Sequence, residues 1–167
     1  FAGFGATLGR AVALGRRAVG VELLPERVDY VRQRVRDAYV LEGDARELLR
    51  VVSALPHEAL PGELQGSVDL VLTSPPYMTE THHDADPLTA YERNGGDYDR
   101  YLAELGLVAA QCAQLLKPGG FAVWNVADIH YMGHTTHLIA DCNQVLTAHL
   151  VPLGITVIEW DKLPHDL

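Results

Sequence analysis

The chain has 167 residues, enough for one domain with a buried core, and its net charge at pH 7 is −9. Its composition is ordinary for a globular protein, and it has no apolar run of about 18 residues or more that would predict a membrane span. The acidic balance alone argues against a nucleic-acid partner. The charge is unevenly distributed, however: residues 1–50 carry nine basic and seven acidic residues, whereas residues 51–167 carry four basic and fifteen acidic residues.

The first elements predicted are a glycine turn and the start of a helix. Gly3 and Gly5 precede a helical pattern that ends at Gly15. Glycine lets the backbone approach a ligand closely, and a helix N-terminus offers free amide hydrogens. Because the sequence begins at Phe1, already inside this motif, we expect an N-terminal segment to precede it.

Acidic side chains end the next two predicted strands. Residues 17–22 form a strand ending in Glu22, about 20 residues after the glycine turn, where a carboxylate can accept hydrogen bonds from the ribose hydroxyls of a nucleoside. A helix then begins at Pro25. Asp44 follows the strand at residues 38–42 and has two alternative roles, which one side chain cannot fill at once. It either accepts a hydrogen bond from an adenine amine or caps the helix predicted over residues 45–54.

The central feature is the strand Val68–Thr73 and the segment Ser74-Pro75-Pro76-Tyr77 that follows it. Its β-branched and aliphatic residues predict a strand buried on both faces of a parallel sheet. Prolines lack amide hydrogens, so the chain must leave the sheet at Ser74. The result is a rigid segment with a hydroxyl, fixed carbonyls and an aromatic ring, which suits a planar base with an exocyclic amine.

The second half continues the alternation of helices and strands. Residues 78–97 lack periodicity and predict a long loop facing the substrate. The elements predicted after it are a helix at 98–116, a strand at 121–126, a helix at 135–150 and a strand at 155–160. The whole pattern predicts an α/β fold with a doubly wound, mostly parallel sheet, in a single domain over residues 1–167.

Cysteine and histidine give no metal signature. Cys112 and Cys142 lie in predicted helices and are expected to be buried, reduced thiols. No carboxylate or cysteine completes a ligand set at suitable spacing for the histidines, so we predict no metal site. These histidines are His130, His134 and His137.

Five short motifs, taken together and in order, resemble one known family. They are Phe1-Ala-Gly-Phe-Gly5, Glu22, Gly43-Asp44, Thr73-Ser-Pro-Pro-Tyr77 and Leu116-Lys-Pro-Gly-Gly120. This set is similar to that of the S-adenosylmethionine-dependent amino-methyltransferases that act on DNA, and it spans the chain from Phe1 to about Lys162. The resemblance implies a Rossmann-like, class I methyltransferase fold.

The resemblance also implies roles for individual residues. The methionine part of the cofactor S-adenosyl-L-methionine would bind at the glycine turn, its ribose at Glu22 and its adenine at Asp44. The segment Ser74-Pro75-Pro76-Tyr77 would bind the target base, flipped out of DNA. The full set implied at the cofactor is Phe1, Gly3, Phe4, Gly5, Thr7, Glu22, Asp44, Ala45 and Thr73.

Serine before Pro-Pro resembles the branch that methylates N4 of cytosine more than the branch that methylates N6 of adenine, which more often carries Asp or Asn. The Pro-Cys pair of enzymes that modify C5 of cytosine is not present at Ser74–Tyr77.

Alternatives that stay open are adenine-N6 methylation of DNA, guanine-N2 methylation of RNA, glutamine methylation of protein, and an inactive nucleotide-binding or scaffold subunit. The resemblance further implies a cytoplasmic enzyme with no membrane partner and a possible restriction nuclease as partner. The chain has no segment after Trp160 long enough for a target-recognition domain.

Overall fold

A computed structural model of the chain describes residues 1–59, 63–76, 98–131 and 133–159. The predicted loop at 78–97, Tyr77 and Trp160 lie outside these residues. No helix in the described ranges is long and apolar enough to cross a membrane.

Two strands and two helices form the first layer. Strand β1 (Ala18–Glu22) pairs in parallel with β2 (Ala38–Glu42), with Glu22 opposite Glu42 at their carboxyl ends. Helices α1 (Ala6–Ala13) and α2 (Pro25–Arg34) cover this pair. Pro25 is at the start of α2, as predicted, where its missing amide hydrogen costs nothing. The core between these elements consists of Leu8, Ala18, Val28, Val31 and Val40.

A second parallel pair follows. After a 3-10 turn (Ala45–Glu47) and helix α3 (Leu48–Val52), strand β3 (Val68–Thr73) pairs with β4 (Leu116–Trp124). Helix α4 (Tyr98–Leu115) connects them and packs against helix α5 (Leu138–Thr147). Between β4 and α5 lies an antiparallel hairpin of β5 (Ile129–Tyr131) and β6 (His134–Thr136).

The α/β class and the parallel pairing agree with the sequence prediction, but the extent of the sheet differs. Among the described strands, β1–β2, β3–β4 and β5–β6 are three separate pairs rather than one doubly wound sheet. The predicted strand at 155–160 is wrong for residues 155–159, which have no regular structure and whose apolar side chains are largely exposed. A β-propensity is not sufficient when no neighbouring strand supplies hydrogen bonds.

Several boundaries also differ. Strand β4 starts directly after α4 and includes Lys117–Gly120. The sequence had predicted that these four residues end the helix and separate it from the strand. The hairpin β5–β6 was not predicted, and α5 is shorter than the predicted helix because residues 134–136 belong to that hairpin. The helix predicted at 45–54 divides into the 3-10 turn and α3.

The prediction that β3 is buried on both faces is wrong for one face. Val71 packs against the core under α4, but Leu70 and Leu72 on the other face are 52% and 44% exposed. Their partners on β4, Phe121 and Val123, are exposed as well. Alternate residues of a strand point to opposite faces, so one face of this pair is covered and the other is open among the described residues.

Both cysteines are buried, as predicted. Cys112 of α4 and Cys142 of α5 are free thiols inside the core. Burial raises the pKa of each thiol to about 12. Neither has the thiolate character that a nucleophile needs at neutral pH.

The two glycines of the first turn have different constraints. Gly3 and Gly5 both have positive φ, 56° and 79°, but a Cβ on Gly5 would lie 2.6 Å from Val31 Cγ1, whereas a Cβ on Gly3 would meet nothing within 4 Å. We expect Gly3→Ala to cost about 1 kcal/mol, from backbone strain alone. Gly5→Ala should cost about 3 kcal/mol, because overpacking of Val31 adds to the strain. Urea unfolding of the two variants measures the difference, and equal losses would contradict this account of the turn.

Candidate functional site

The glycine turn and the Ser-Pro-Pro segment lie at the same edge of the molecule. Ala2 N donates to Val21 O of β1 at 3.0 Å, and Thr73 Oγ1 at the end of β3 donates to Phe1 O at 3.3 Å. Phe1 and Ala2 therefore join the carboxyl ends of the two parallel pairs. The predicted cofactor-binding turn and the predicted base-binding segment are brought together by this contact.

Glu22 anchors the glycine turn from the end of β1. Its Oε2 accepts hydrogen bonds from Phe1 N at 3.0 Å and Gly3 N at 2.7 Å, and its Oε1 accepts one from Leu24 N at 3.3 Å. The residue is only 2% exposed. Burial raises the pKa of Glu22, and the hydrogen bonds from the Gly3 and Leu24 amides lower it. The carboxylate is held by the turn itself.

Asp44 acts as a cap, the second of the two roles considered for it. Its Oδ1 accepts from Arg46 N at 2.8 Å, at the start of the 3-10 turn. The Arg46 guanidinium contacts both carboxylate oxygens, with Nη2 2.5 Å from Oδ2, and its Nη1 donates to Glu104 Oε2 of α4 at 2.8 Å. An adenine amine would have to share this carboxylate with Arg46.

Hydrogen bonding decides the charge state of Asp44. Burial would raise the pKa of Asp44, but the hydrogen bonds and charge of Arg46 lower it below its ordinary value. The same contact with Asp44 raises the pKa of Arg46. The pair therefore remains charged at neutral pH and below.

The other predicted cofactor residues differ in accessibility. Phe4 is 64% exposed, its ring packs edge-on against Tyr30 at 5.5 Å, and the Arg27 guanidinium lies 5.1 Å from it. Thr7, in the first turn of α1, is exposed. Ala45 is buried with its methyl group against the core under α4, so only its backbone could reach a ligand.

The Ser-Pro-Pro segment is held at both ends. Ser74 Oγ donates to Asn125 O at 2.9 Å, just beyond the end of β4, and Tyr101 OH of α4 donates to Pro76 O at 2.8 Å. Pro75, between them, is buried. A hydroxyl has one hydrogen and two lone pairs. Because Ser74 Oγ donates its hydrogen to Asn125 O, its lone pairs can still accept a hydrogen bond. Tyr77 lies outside the described residues.

Four residues of this region were not identified from the sequence: Arg46, Glu104, Tyr101 and Trp124. Trp124 is opposite Thr73 in the β3–β4 register and, like Phe1, packs against the core clusters on α4. Its indole Nε1 is buried and, within the part of the chain described, has no hydrogen-bond partner. The only signal for Trp124 in the sequence was its position as an aromatic residue at the end of a predicted strand. Many aromatic residues at such positions simply pack in the core.

The histidines near this edge contact nearby polar groups. His137 Nδ1 is 3.4 Å from Asp128 Oδ2, and His130 Nδ1 is 3.0 Å from Thr135 Oγ1. Asp128 also accepts from Ile139 N at 3.0 Å in the first turn of α5, and this contact is the first cause of its lowered pKa. Over the described ranges, no group of three or more metal-ligating side chains is found.

Comparison with known proteins gives weak likenesses only. No family model matches the chain, and no curated protein does. A solved structure of a candidate DNA modification methylase from Thermus thermophilus has a TM-score of 0.45 and 27% identity, over 79% of this chain and 39% of that one. The same protein complexed with S-adenosyl-L-methionine has a TM-score of 0.42 and 26% identity, over the same shares of the two chains.

A protein from Pyrococcus horikoshii has a TM-score of 0.47 and 18% identity, over 74% of this chain and 44% of that one. The chain thus spans about two-fifths of the length of the solved structures it matches. These TM-scores are low, and we base no function on them.

The Asp44–Arg46 contact gives a pH-dependent prediction. We expect Asp44→Ala to lose about 1–2 kcal/mol of unfolding free energy at neutral pH, because it removes a cap and a charge-assisted hydrogen bond. A carboxyl whose pKa is lower in the folded chain than in the unfolded chain stabilises the fold above the unfolded pKa, and this contribution is lost as pH falls through the folded pKa. The difference between wild type and variant should therefore shrink below about pH 4.

Urea unfolding across this pH range measures the effect. The matched control is Asp69→Ala, which removes an exposed carboxylate that accepts from Lys117 Nζ at 2.8 Å. Exposed ion pairs contribute little, so this variant should unfold close to wild type. A loss in Asp44→Ala that stays constant at every pH would show that its charge is not the cause.

Proposed function

We propose that this chain transfers a methyl group from S-adenosyl-L-methionine to the exocyclic amine of a base in DNA, with N4 of cytosine as the acceptor. The observation that carries the proposal is the Thr73–Phe1 hydrogen bond. It holds a glycine turn suited to a nucleoside cofactor beside a proline-braced segment suited to an amine. Residues 1–167 would form the catalytic domain, or part of it.

The residues at the glycine turn fit the cofactor in kind. Gly3 leaves the backbone of the turn open to close approach, because a Cβ there would meet nothing within 4 Å, and Glu22 and Asp44 lie at the ends of adjacent strands, β1 and β2. The Trp124 indole N–H is a buried donor in need of an acceptor among the described residues, and a cofactor with carboxylate and hydroxyl groups offers one. When bound, S-adenosyl-L-methionine would supply a methyl group already activated by its sulfonium.

Ser74 would act on the amine of the base. The lone pair of an exocyclic amine is delocalised into the ring, so the amine is a poor nucleophile. Because Ser74 Oγ donates its hydrogen to Asn125 O, its lone pairs are available to accept a hydrogen from the amine. A second hydrogen bond, to a carbonyl near Pro75, would help pull the nitrogen toward a tetrahedral shape. The carbon–sulfur bond of the donor would break as the carbon–nitrogen bond forms, which would leave a neutral thioether, and the methylated amine would then release its extra proton to solvent. Ser74 would therefore position the amine and need not act as a strong base.

The target base would have to leave the duplex to reach this segment. Stacking on Tyr77 would recover about 1–3 kcal/mol of the cost of unstacking. Because the net charge is −9, most phosphate contacts would come from a segment outside this sequence or from the helix-borne arginines of residues 1–50. Affinity for DNA should fall with added salt.

The role of Ser74 is tested by its alanine variant. Ser74→Ala should lower kcat about 10-fold or more, because the amine loses an acceptor used in the transition state, while the Kd for S-adenosyl-L-methionine remains near wild type. Ser53→Ala is the matched control, since Ser53 Oγ also donates to a carbonyl, that of Arg50, at an exposed helix end. Wild-type turnover in Ser74→Ala of the full-length protein would exclude the acceptor role.

The identity of the product distinguishes the alternative substrates. Genomic DNA from cells expressing the full-length protein, digested to nucleosides and analysed by mass spectrometry, should contain N4-methylcytosine. N6-methyladenine instead would change the acceptor base, and methylation confined to RNA or protein would reject the DNA assignment. An inactive scaffold subunit is the alternative of another class, and calorimetric titration of the full-length protein with S-adenosyl-L-methionine would then show no binding.

A further inference from the structure

Tyr101 is a buried tyrosine whose hydroxyl reaches the Ser-Pro-Pro segment from helix α4. The residue is 0% exposed, and its OH donates to Pro76 O at 2.8 Å. Its ring lies in the core cluster with Leu105, Leu138 and Cys142, which fixes the position of the hydroxyl. A buried hydroxyl aimed from a packed helix at one backbone carbonyl is a rigid support for that carbonyl.

The backbone of Ser74–Pro76 needs such a support. The rings of Pro75 and Pro76 fix φ but leave the ψ torsions of the segment free to turn. The Ser74 Oγ to Asn125 O bond holds the start of the segment, and the Tyr101 bond holds its end. With both bonds made, the carbonyls between them have a fixed direction.

The face of α4 that carries Tyr101 also supports the glycine-turn side of the site. Phe1 packs against the cluster that contains Tyr101. Glu104, three residues later, accepts from Arg46, which in turn holds Asp44. Residues three apart on a helix share a face, so one helix sets the distance between the two halves of the site.

We propose that Tyr101 is a positioning residue for methyl transfer, which holds the Pro76 carbonyl and thereby aligns the target amine with the methyl donor. The inference rests on the proposed function and adds to it a residue outside the motifs. Alignment matters because a displacement of about 1 Å between reacting groups can cost about 100-fold in rate. The Tyr101 hydroxyl and the Pro76 carbonyl do not change their charge while the methyl group is transferred.

The test compares Tyr101→Phe with Tyr98→Phe in the full-length protein. Each variant removes one hydroxyl from α4 and keeps its ring. Tyr98 stacks on Tyr101 with ring centroids 5.9 Å apart, but its OH donates to Asp141 Oδ2 of α5 at 2.7 Å, away from Ser74–Pro76. Both variants lose a partly buried hydrogen bond, so both should lower the Tm by about 2–4 °C.

The kinetic constants should separate the two variants. Tyr101→Phe should lower kcat about 10-fold, with the Kd and KM for S-adenosyl-L-methionine within about two-fold of wild type. Tyr98→Phe should keep the wild-type kcat. Wild-type kcat in Tyr101→Phe, or an equal loss in both variants, would overturn the positioning role while the proposed function stands. If the wild-type protein itself transfers no methyl group to DNA, RNA or protein, the proposed function fails, and the positioning role fails with it.

Discussion

The buried carboxylate of Glu22 is the constraint on which the organisation of the site depends. An ionised carboxylate that is only 2% exposed must be surrounded by hydrogen-bond donors, and here the donors are backbone nitrogens at Phe1, Gly3 and Leu24. To present them, the chain must turn tightly at Gly3 and Gly5, both with positive φ. That turn starts α1 and places the Phe1 carbonyl against Thr73. The geometry of the glycine turn therefore depends on supplying hydrogen-bond donors to one buried carboxylate.

Helix α4 is the second organising element, because it contacts both halves of the site through one face. Tyr101 holds the Pro76 carbonyl, Glu104 holds Arg46, and Val108 packs beneath Ala45. Proline restricts φ in the Ser74–Pro76 segment and glycine permits the tight first turn, but neither residue type sets the distance between the two halves. A packed helix supplies that distance, since protein interiors resist deformation.

The distribution of charge and apolar surface is uneven. Asp44, Arg46 and Glu104 form a charged chain at the β2 end, whereas the far side of the β3–β4 pair exposes Leu70, Leu72, Phe121 and Val123, adjacent across the two strands. The covered face of the same strands carries Val71 and Trp124. The groups proposed to bind the cofactor and the base lie at the carboxyl ends of β1, β2 and β3.

What the sequence by itself determined is what single residues impose on their own backbone. Pro25 starts α2, Gly5 precedes α1, and Pro75 and Pro76 end β3, each because covalent geometry restricts or frees one torsion. Apolar periodicity located α4 and β3 but not which face of β3 is covered, and β-propensity alone predicted a strand at 155–159 that lacks a partner among the described residues.

Only the tertiary structure decided which side chains meet. Asp44 has two chemically sound roles in the sequence, and its cap became visible only in the fold, together with Arg46 reaching both Asp44 and Glu104, which lies 58 residues from Arg46. Tyr101 looks like an ordinary core residue until α4 folds back on a segment 25 residues earlier. Sequence patterns report the separation of residues along the chain, whereas hydrogen bonds depend on the distance between atoms in the folded structure.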